Sequence, residues 1–234
     1  MKTITLLFAL TSLPTLGVVT SITTAEGNGL DGSLIENNNG YNGSFDTTGG
    51  LTSYANVDNR HFTPVLKWDL SSYTGSSVDI TDVSISLTPS GGGFTRTYSF
   101  LLFTGDNSEI TPAIGYNAAN PFIADDYIPE TSVDADWDTN LTATFSGSIT
   151  GTNLLLHTLG SGDAALLDAV KAAIDGDGYI TFVIADNNRP LYLYSAESPD
   201  EANRPTLNIT SVPEPSVALL GGLGVLGLIH RRRA

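Results

Sequence analysis

The chain has 234 residues, of which 25 are acidic and 10 basic, so its formal net charge at pH 7 is -15. An apolar fraction of 41% is too high for a disordered polyelectrolyte, and the length suits one sizeable domain or two small ones. The absence of cysteine excludes disulfide scaffolds, thiolate metal sites and cysteine nucleophiles. The acidic balance argues against nucleic-acid binding, which needs basic patches to neutralise phosphates.

Residues 1–25 have the organisation of a secretory signal peptide. Lys2 supplies an early positive charge, an apolar run follows from Ile4, and Ala25 is a small residue suited to a cleavage site. Pro14 and several threonines make this run poor as a membrane span. A buried N-terminal helix is the alternative. We expect export, with cleavage near Ala25.

Between residues 26 and 211, short alternating apolar runs are separated by Gly, Asn, Asp, Ser and Pro. The run 65–70 places Leu66, Trp68 and Leu70 on one face, so Trp68 is expected to pack in the core. The run 83–87 turns its three apolar residues inward and its two serines outward. Further strand candidates are 141–149, 179–185, 191–194 and 206–209. Frequent short strands with polar turns predict an all-β, antiparallel sandwich.

One segment has the periodicity of a helix. Asp163 is suited to cap its N-terminus, and the Asp175-Gly176-Asp177-Gly178 string is suited to end it. Its apolar residues recur at helical spacing, at Leu166, Leu167, Val170 and Ile174. We therefore expect one short helix on a single β-rich domain that spans residues 26–211.

Aromatic and arginine residues of this domain are candidates for binding sugar. Sugars present apolar C–H faces edged by hydroxyls, so flat rings and planar hydrogen-bonding groups suit them. Trp137 lies in a polar, acidic stretch and could stack on a sugar ring. Tyr192 and Tyr194 alternate with leucines, so both phenols share one strand face, where they either bind sugar or pack within the sheet. Arg60 and Arg189 could each grip hydroxyls or a uronate carboxylate, or form structural ion pairs.

An acidic motif, Asp134, Asp136 and Asp138, resembles the start of a calcium loop. Thr139 and Phe145 stand where an EF-hand requires Gly and Glu, so the motif is not an EF-hand. Either a looser calcium site, with a structural role, or a solvated acidic loop fits this pattern.

The sequence lacks the common signatures of catalysis. It has no Gly-x-Ser-x-Gly elbow, no His-Glu-x-x-His motif and no phosphate-cradling glycine loop. Paired carboxylates could serve a glycosidase, but the 24 acidic residues of the domain make chance pairs inevitable. We expect no enzymatic activity and no required cofactor. A polysaccharide-degrading enzyme is the least favoured of three functional readings.

The C-terminal residues 212–234 combine three ordered elements. These are Pro213-Glu214-Pro215, the apolar stretch 217–229 and the cluster Arg231, Arg232 and Arg233. The apolar stretch would span about 20 Å as a helix, so crossing a ~30 Å hydrocarbon core requires thinning or tilt, with the arginines on the cytoplasmic side.

This tail resembles the PEP-CTERM sorting signal. The resemblance implies a transmembrane sorting helix that an exosortase, a membrane-embedded cysteine protease, recognises at the inner membrane of a Gram-negative bacterium. It further implies processing near residues 213–215 and delivery to the cell surface or an extracellular polysaccharide matrix. An ordinary tail anchor is the alternative.

The domain itself resembles DNRLRE-type carbohydrate-binding modules in a series of short motifs. They lie, in order, at 58–60, 64–71, 83–87, 178–184, 194–198 and 204–207. The resemblance implies a jelly-roll β-sandwich that binds polysaccharide. The full DNRLRE string is absent, so no ligand detail carries over. We therefore expect an exported, non-catalytic protein that binds exopolysaccharide, with a structural or adhesive matrix protein acting by protein contacts as the alternative.

Overall fold

A computed structural model of the chain describes residues 17–37, 41–46, 50–56, 60–91, 95–111, 141–150, 154–185 and 191–212. These residues form thirteen strands and one α-helix, which confirms the prediction of a mostly β protein with one helix. The strands are β1 Val18–Thr23, β2 Leu30–Asn37, β3 Tyr41–Asp46, β4 Leu51–Asn56, β5 Arg60–Asp69, β6 Ile80–Leu87, β7 Pro89–Gly91, β8 Thr95–Phe103, β9 Leu141–Thr150, β10 His157–Leu159, β11 Tyr179–Ala185, β12 Leu191–Leu193 and β13 Thr206–Ser211. The helix, α1, is Ala164–Asp175, and short 3-10 helices lie at Leu70–Ser72, Ser77–Asp79, Asn107–Glu109 and Glu201–Asn203.

The described strands form two sheets in which neighbouring strands run antiparallel. The smaller sheet has the order β1-β13-β6-β10. The larger sheet follows the order β7-β12-β4-β5-β11-β8-β9, and β2 pairs with β5 and with β3. Both sheets supply side chains to one core, with Ile85 and Leu207 from the smaller and Leu66 and Phe182 from the larger. The two sheets therefore pack face to face, which is how each buries its apolar side.

Aromatic rings fill the middle of this core. Trp68 is 0% exposed, as predicted, and meets Phe182 edge-on with 6.4 Å between ring centroids. Phe145 stacks on Phe100 at 4.4 Å and also meets Phe182 edge-on. These are the offset and T-shaped arrangements that ring quadrupoles favour, so β5, β8, β9 and β11 are joined by ring contacts as well as by hydrogen bonds.

Strand β11 is buried on both faces. Its Phe182 and Ile184 lie in the main core, whereas Val183 lies in a second cluster on the opposite face of the larger sheet. Phe103, the last residue of β8, and Ile110, from the segment that follows it, belong to this second cluster and cover that face. Burial on both sides explains why residues 179–185 read as a nearly continuous apolar run.

The serines of β6 differ from their expected exposure. Ser84 and Ser86 lie off the core side of the strand, but they are only 8% and 5% exposed. β6 lies between β13 and β10, and Asn208 of β13 donates a hydrogen bond from Nδ2 to Ser86 Oγ at 2.8 Å. Thr158 Oγ1 of β10 lies 3.3 Å from the same oxygen. Cross-strand polar neighbours therefore cover side chains that the alternation assigned to solvent.

Helix α1 begins and ends where the sequence predicts. The Asp163 side chain accepts a hydrogen bond from Leu166 N at 3.0 Å, which caps the N-terminus. At the other end, Gly178 has a φ of 79° and donates its N–H to Ala173 O at 2.9 Å. Leu166 and Val170 are fully buried against the core, so the helix closes one end of the sandwich.

The N-terminal strand lies within the segment expected to be a signal peptide. β1 pairs with β13 along its whole length, and its Ile22 is 0% exposed in the main core. The folded body therefore includes residues 18–25, which lie N-terminal to the expected boundary at Ala25 or at it. The signal peptide itself stays a prediction, since residues 1–16 lie outside the described part of the chain.

Candidate site at the end of strand β12

A groove opens where β12 leaves the larger sheet. We call it the β12 groove; its volume is about 300 Å³, and its lining includes Gly50, Ser90, Tyr194, Ser195, Glu197 and Ser198. The residues come from the start of β4, from β7 and from the turn 195–198 that follows β12. Three hydroxyl-bearing serines, a phenol and a carboxylate thus surround one cleft.

Tyr192 and Tyr194 are held away from the core by the alternation of β12. Leu191 and Leu193 are 1% and 0% exposed and lie in the main core. Tyr192, between them, is 43% exposed, and Tyr194 is half-buried in the groove lining. The Tyr194 N–H donates to Thr88 O at 3.0 Å, which extends the strand's pairing beyond its last residue. The phenols therefore lie on the face opposite to the leucines, and Tyr192 presents much of its ring to solvent.

Two glycines lie against β12, and a side chain would fit at Gly91 but not at Gly50. Gly91 of β7 is the direct partner of Tyr192, and a Cβ added to it would lie 3.6 Å from Tyr192 Cδ2, so the ring lies beside a residue with no side chain. A Cβ added to Gly50 would lie 2.9 Å from Leu193 O, closer than real contacts allow. A side chain at position 50 would therefore displace the backbone of β12.

The turn 195–198 is fixed by hydrogen bonds to its backbone. Ala196 N donates to Asp31 Oδ2 at 2.8 Å, and Ser198 N donates to Ser195 O at 3.0 Å. Arg204 Nε donates to Ser198 O at 3.1 Å. Glu197 stays exposed at the crest of this turn. The groove wall is therefore positioned before any ligand arrives, which lowers the entropic cost of binding.

Asp31 is the buried residue behind this wall. It is 2% exposed, and its Oδ2 also accepts a hydrogen bond from Thr24 Oγ1 at 2.6 Å. Its Oδ1 is buried without a hydrogen-bond partner in the described part of the chain. Burial raises the pKa of Asp31 from 3.8 to about 6, opposed by the bonds from Thr24 and Ala196 and reinforced by the charge of Glu197.

Arg60 is connected to the groove through β4. β4 pairs Thr52 with Tyr192 and Asn56 with Arg60, so the two predicted site residues sit at register positions about 13 Å apart along that strand. The side chain of Arg60 is outside the described part of the chain. The structure therefore places the backbone of Arg60 in the same sheet as the tyrosines, and its role in sugar binding stays a prediction.

The other predicted site residues lie outside the described residues. They are the sugar-binding candidates Trp137 and Arg189, the acidic motif Asp134, Asp136 and Asp138, and the sorting residues Pro213, Glu214, Pro215, Arg231, Arg232 and Arg233. Within the described residues, no group of three or more acidic or histidine side chains is arranged to hold a metal ion. The calcium site stays a prediction. A melting temperature that a chelator leaves unchanged would contradict it.

A second cavity, of about 240 Å³, lies between α1 and the larger sheet. Its lining includes Phe103, Asn107, Asp177 and Tyr179. Two of these residues contact the buried Lys67, whose ammonium donates to Asn107 O at 2.8 Å and lies 4.6 Å from the centroid of the Tyr179 ring. Burial lowers the pKa of Lys67, while the charges of nearby carboxylates, Asp177 first, raise it. These contacts fix the segment after β8, so we interpret this network as structural.

Sequence reasoning missed several residues of the β12 groove. Ser90, Glu197 and the supporting Asp31 had no assigned role. The polar run 195–198 directly after the strand candidate 191–194 does indicate a turn at this position. No local pattern could show that Gly50 and Ser90 meet this turn, because they reach it through the pairing of β4 and β7 with β12.

No described helix has the length and apolar character that crossing a bilayer requires. The expected sorting helix, within 212–234, is outside the described residues. No model of a known protein family matches the chain, and no curated protein matches it at a significant level. The fold and the site together define a mostly β protein of two packed sheets, with a preformed groove where β12 leaves the larger sheet.

Proposed function

We propose that the chain is an exported, non-catalytic polysaccharide-binding protein with a jelly-roll sandwich, and that it binds sugar at the β12 groove. In this proposal, an exosortase-type protease at the inner membrane recognises its C-terminal tail, and the body reaches the cell surface or extracellular matrix of a Gram-negative bacterium. Its ligand there is the exopolysaccharide.

The observation that carries the proposal is the exposed ring of Tyr192, which directly precedes the groove-lining residues Leu193 and Tyr194. Tyr192 is 43% exposed, although it follows and precedes fully packed leucines. An aromatic face suits the apolar C–H face of a sugar, and the groove offers Ser90, Tyr194 and Glu197 to hydrogen-bond its hydroxyls. Because the turn 195–198 is already fixed, little ordering is needed on binding.

The test is a glycan array, followed by affinity electrophoresis, with the protein made of residues 18–212. Those bounds keep β1, which is part of the folded body. We expect retention on at least one polysaccharide, and Tyr192→Ala should weaken it about tenfold or more, a loss of ~1.4 kcal/mol or above. Val78→Ala is the control: Val78 is 74% exposed in the 3-10 helix Ser77–Asp79, which supplies no residue to the groove lining, and the change should leave retention unchanged. No retention on any polysaccharide would contradict the proposal.

A second candidate is a structural or adhesive matrix protein whose partner is another copy of the chain. Three consecutive leucines between β9 and β10, Leu154, Leu155 and Leu156, are 58%, 65% and 53% exposed. Contiguous exposed apolar side chains are typical of contact surfaces. Sedimentation velocity at rising concentration tests this candidate: self-association that is lost when all three leucines are changed to serine, with no glycan retention, would favour it.

A further inference from the structure

Strand β1 is an integral part of the sandwich. All six of its residues pair with residues 206–211 of β13, and Ser21 Oγ adds a hydrogen bond to Asn208 Oδ1 at 2.8 Å. Ile22 is 0% exposed and belongs to the core shared by both sheets. The smaller sheet therefore depends on β1 to cover its β13 edge and to complete its core.

Thr24, directly after β1, ties the strand to the rest of the body. It is 1% exposed; its N–H donates to Pro205 O at 3.1 Å and its Oγ1 to Asp31 Oδ2 at 2.6 Å. Cleavage after Ala25 would remove both donors together with Ile22 and the strand that pairs with β13. It would leave an unpaired sheet edge, a gap in the core and a buried Asp31 carboxylate with one donor fewer.

The sequence contains a second position with the small residues that signal peptidases require. Thr15 and Gly17 have the same spacing as Thr23 and Ala25, with a small residue at the cut and another two positions before it. Pro14 separates this position from the apolar run 4–10, so a helix formed by that run would end before the cut. Gly17 is exposed, directly before the first residue of β1.

We propose that a signal peptidase cleaves the Gly17–Val18 bond, so that the exported protein begins with strand β1. Water adds across this peptide bond, leaving a carboxylate on Gly17 and a new amino group on Val18. The inference rests on the proposed export of the chain. Cleavage at the Gly17–Val18 bond retains every described contact of β1 and Thr24, whereas cleavage after Ala25 removes them.

The geometry also places the proposed cut beside the last described residues before the expected tail. Val18 is the direct partner of Ser211, the last residue of β13. The new N-terminus therefore lies beside the point where the chain enters the proposed sorting tail, with Val212 N bonded to Asp79 O at 2.9 Å. A precursor can thus fold its sandwich while its N-terminal and C-terminal segments are both held at one membrane. Cleavage of the Gly17–Val18 bond and of the tail would then release the protein from the membrane at the same end of the smaller sheet.

N-terminal sequencing of the full chain tests this proposal. The protein is expressed in a Gram-negative host and recovered from the envelope with an antiserum against the body. We expect Val18 as the first residue. A first residue at Glu26, or anywhere C-terminal to Ile22, would overturn the proposal without touching polysaccharide binding, and an uncleaved chain would overturn it together with export. Failure of a protein that starts at Val18 to bind any glycan would overturn the proposed function alone.

Two matched variants separate the candidate sites within the same experiment. Gly17→Gln puts a long side chain at the proposed cut, so the precursor should accumulate uncleaved. Ala25→Gln makes the same change at an exposed turn position and should be processed as the wild type is. The reverse pattern would show that Ala25 is the site and would overturn the proposal.

Discussion

One buried carboxylate joins three parts of the molecule. Asp31 of β2 receives hydrogen bonds from Thr24, at the end of β1, and from Ala196, in the wall of the β12 groove. Burying a carboxylate is unfavourable unless its charge is compensated, and two donors on one oxygen compensate only in part. The residue therefore positions the groove at a cost to stability that depends on pH.

Because of this cost, Asp31 should make the protein less stable as pH rises, which is the opposite of the usual effect of a carboxylate. The pKa of Asp31 is about 6 in the folded protein against an ordinary 3.8, so the folded state holds a proton that the unfolded chain releases. The free energy of unfolding contributed by Asp31 is therefore largest below pH 4 and falls as pH rises through 6, by up to about 3 kcal/mol. Asp31→Asn removes this titration, so the wild type should lose stability relative to the variant between pH 4 and 7 in urea unfolding.

Asp69 provides a control of opposite sign. Burial acts to raise its pKa, but hydrogen bonds from Ser71 and Asn28 outweigh burial and lower it. The wild type should therefore gain stability relative to Asp69→Asn as pH rises through the acidic range below 4. For Asp31 itself, the contradicting result is a free energy of unfolding that changes with pH in the same way in the wild type and in Asp31→Asn between pH 4 and 7. That result would show that Asp31 has an ordinary pKa.

At the scale of elements, β1 is a packed edge strand within a stretch of sequence that predicts a signal peptide. Val18 and Val19 extend the apolar N-terminal run, and both are exposed, at 51% and 59%. Of the six residues of β1, Ile22 is the one that belongs to the core, and the pairing with β13 is what makes the segment a strand. Hydropathy along the chain carries no information about a partner almost 190 residues away in sequence, as the Ser21–Asn208 bond shows.

The contribution of β1 can be measured with two variants of the protein 18–212. Ile22→Ala removes a fully buried side chain from the core and should lower the free energy of unfolding by about 2–4 kcal/mol. Val19→Ala shortens an exposed side chain of the same strand and should change it by less than about 0.5 kcal/mol. Equal, small effects in chemical denaturation would mean that β1 is not packed as described.

Other elements differ in how far the sequence predicts them. β11 and α1 have strong periodicity and recognisable ends, and both lie where they were expected. β7, with the residues Pro89-Ser90-Gly91, has no apolar alternation, and its pairing with β12 is irregular at Tyr192 and Leu193. The sequence predicts that Tyr192 and Tyr194 share one strand face. It does not predict the groove beside them, because the groove forms only when β4 and β7 pair with β12.

For the molecule as a whole, the strongly acidic charge constrains the ligand. The net charge of the full chain is -15, and residues 26–211 alone hold 24 acidic and six basic residues, or -18. Such a charge favours solubility and repels polyanions at long range. The groove adds the exposed carboxylate of Glu197 to this field. Neutral polysaccharides are therefore the expected ligands.

Salt dependence distinguishes neutral from anionic ligands. Binding of a neutral glycan should change less than about twofold between low and high salt, because exposed charges contribute little to stacking and neutral hydrogen bonds. Binding of a uronate-rich glycan should be weaker at low salt and should tighten as salt screens the repulsion. Tight low-salt binding of a polyanion that salt weakens would contradict this reading and would indicate clustered arginines at the site.

The most direct measurement is a crystal structure of the protein 18–212 soaked with an oligosaccharide of a retained polysaccharide. We expect a sugar ring against the exposed face of Tyr192, with its hydroxyls hydrogen-bonded to Tyr194, Glu197 or the groove serines. A sugar bound at another surface, with the β12 groove empty at a saturating concentration, would contradict the assignment of this groove as the binding site.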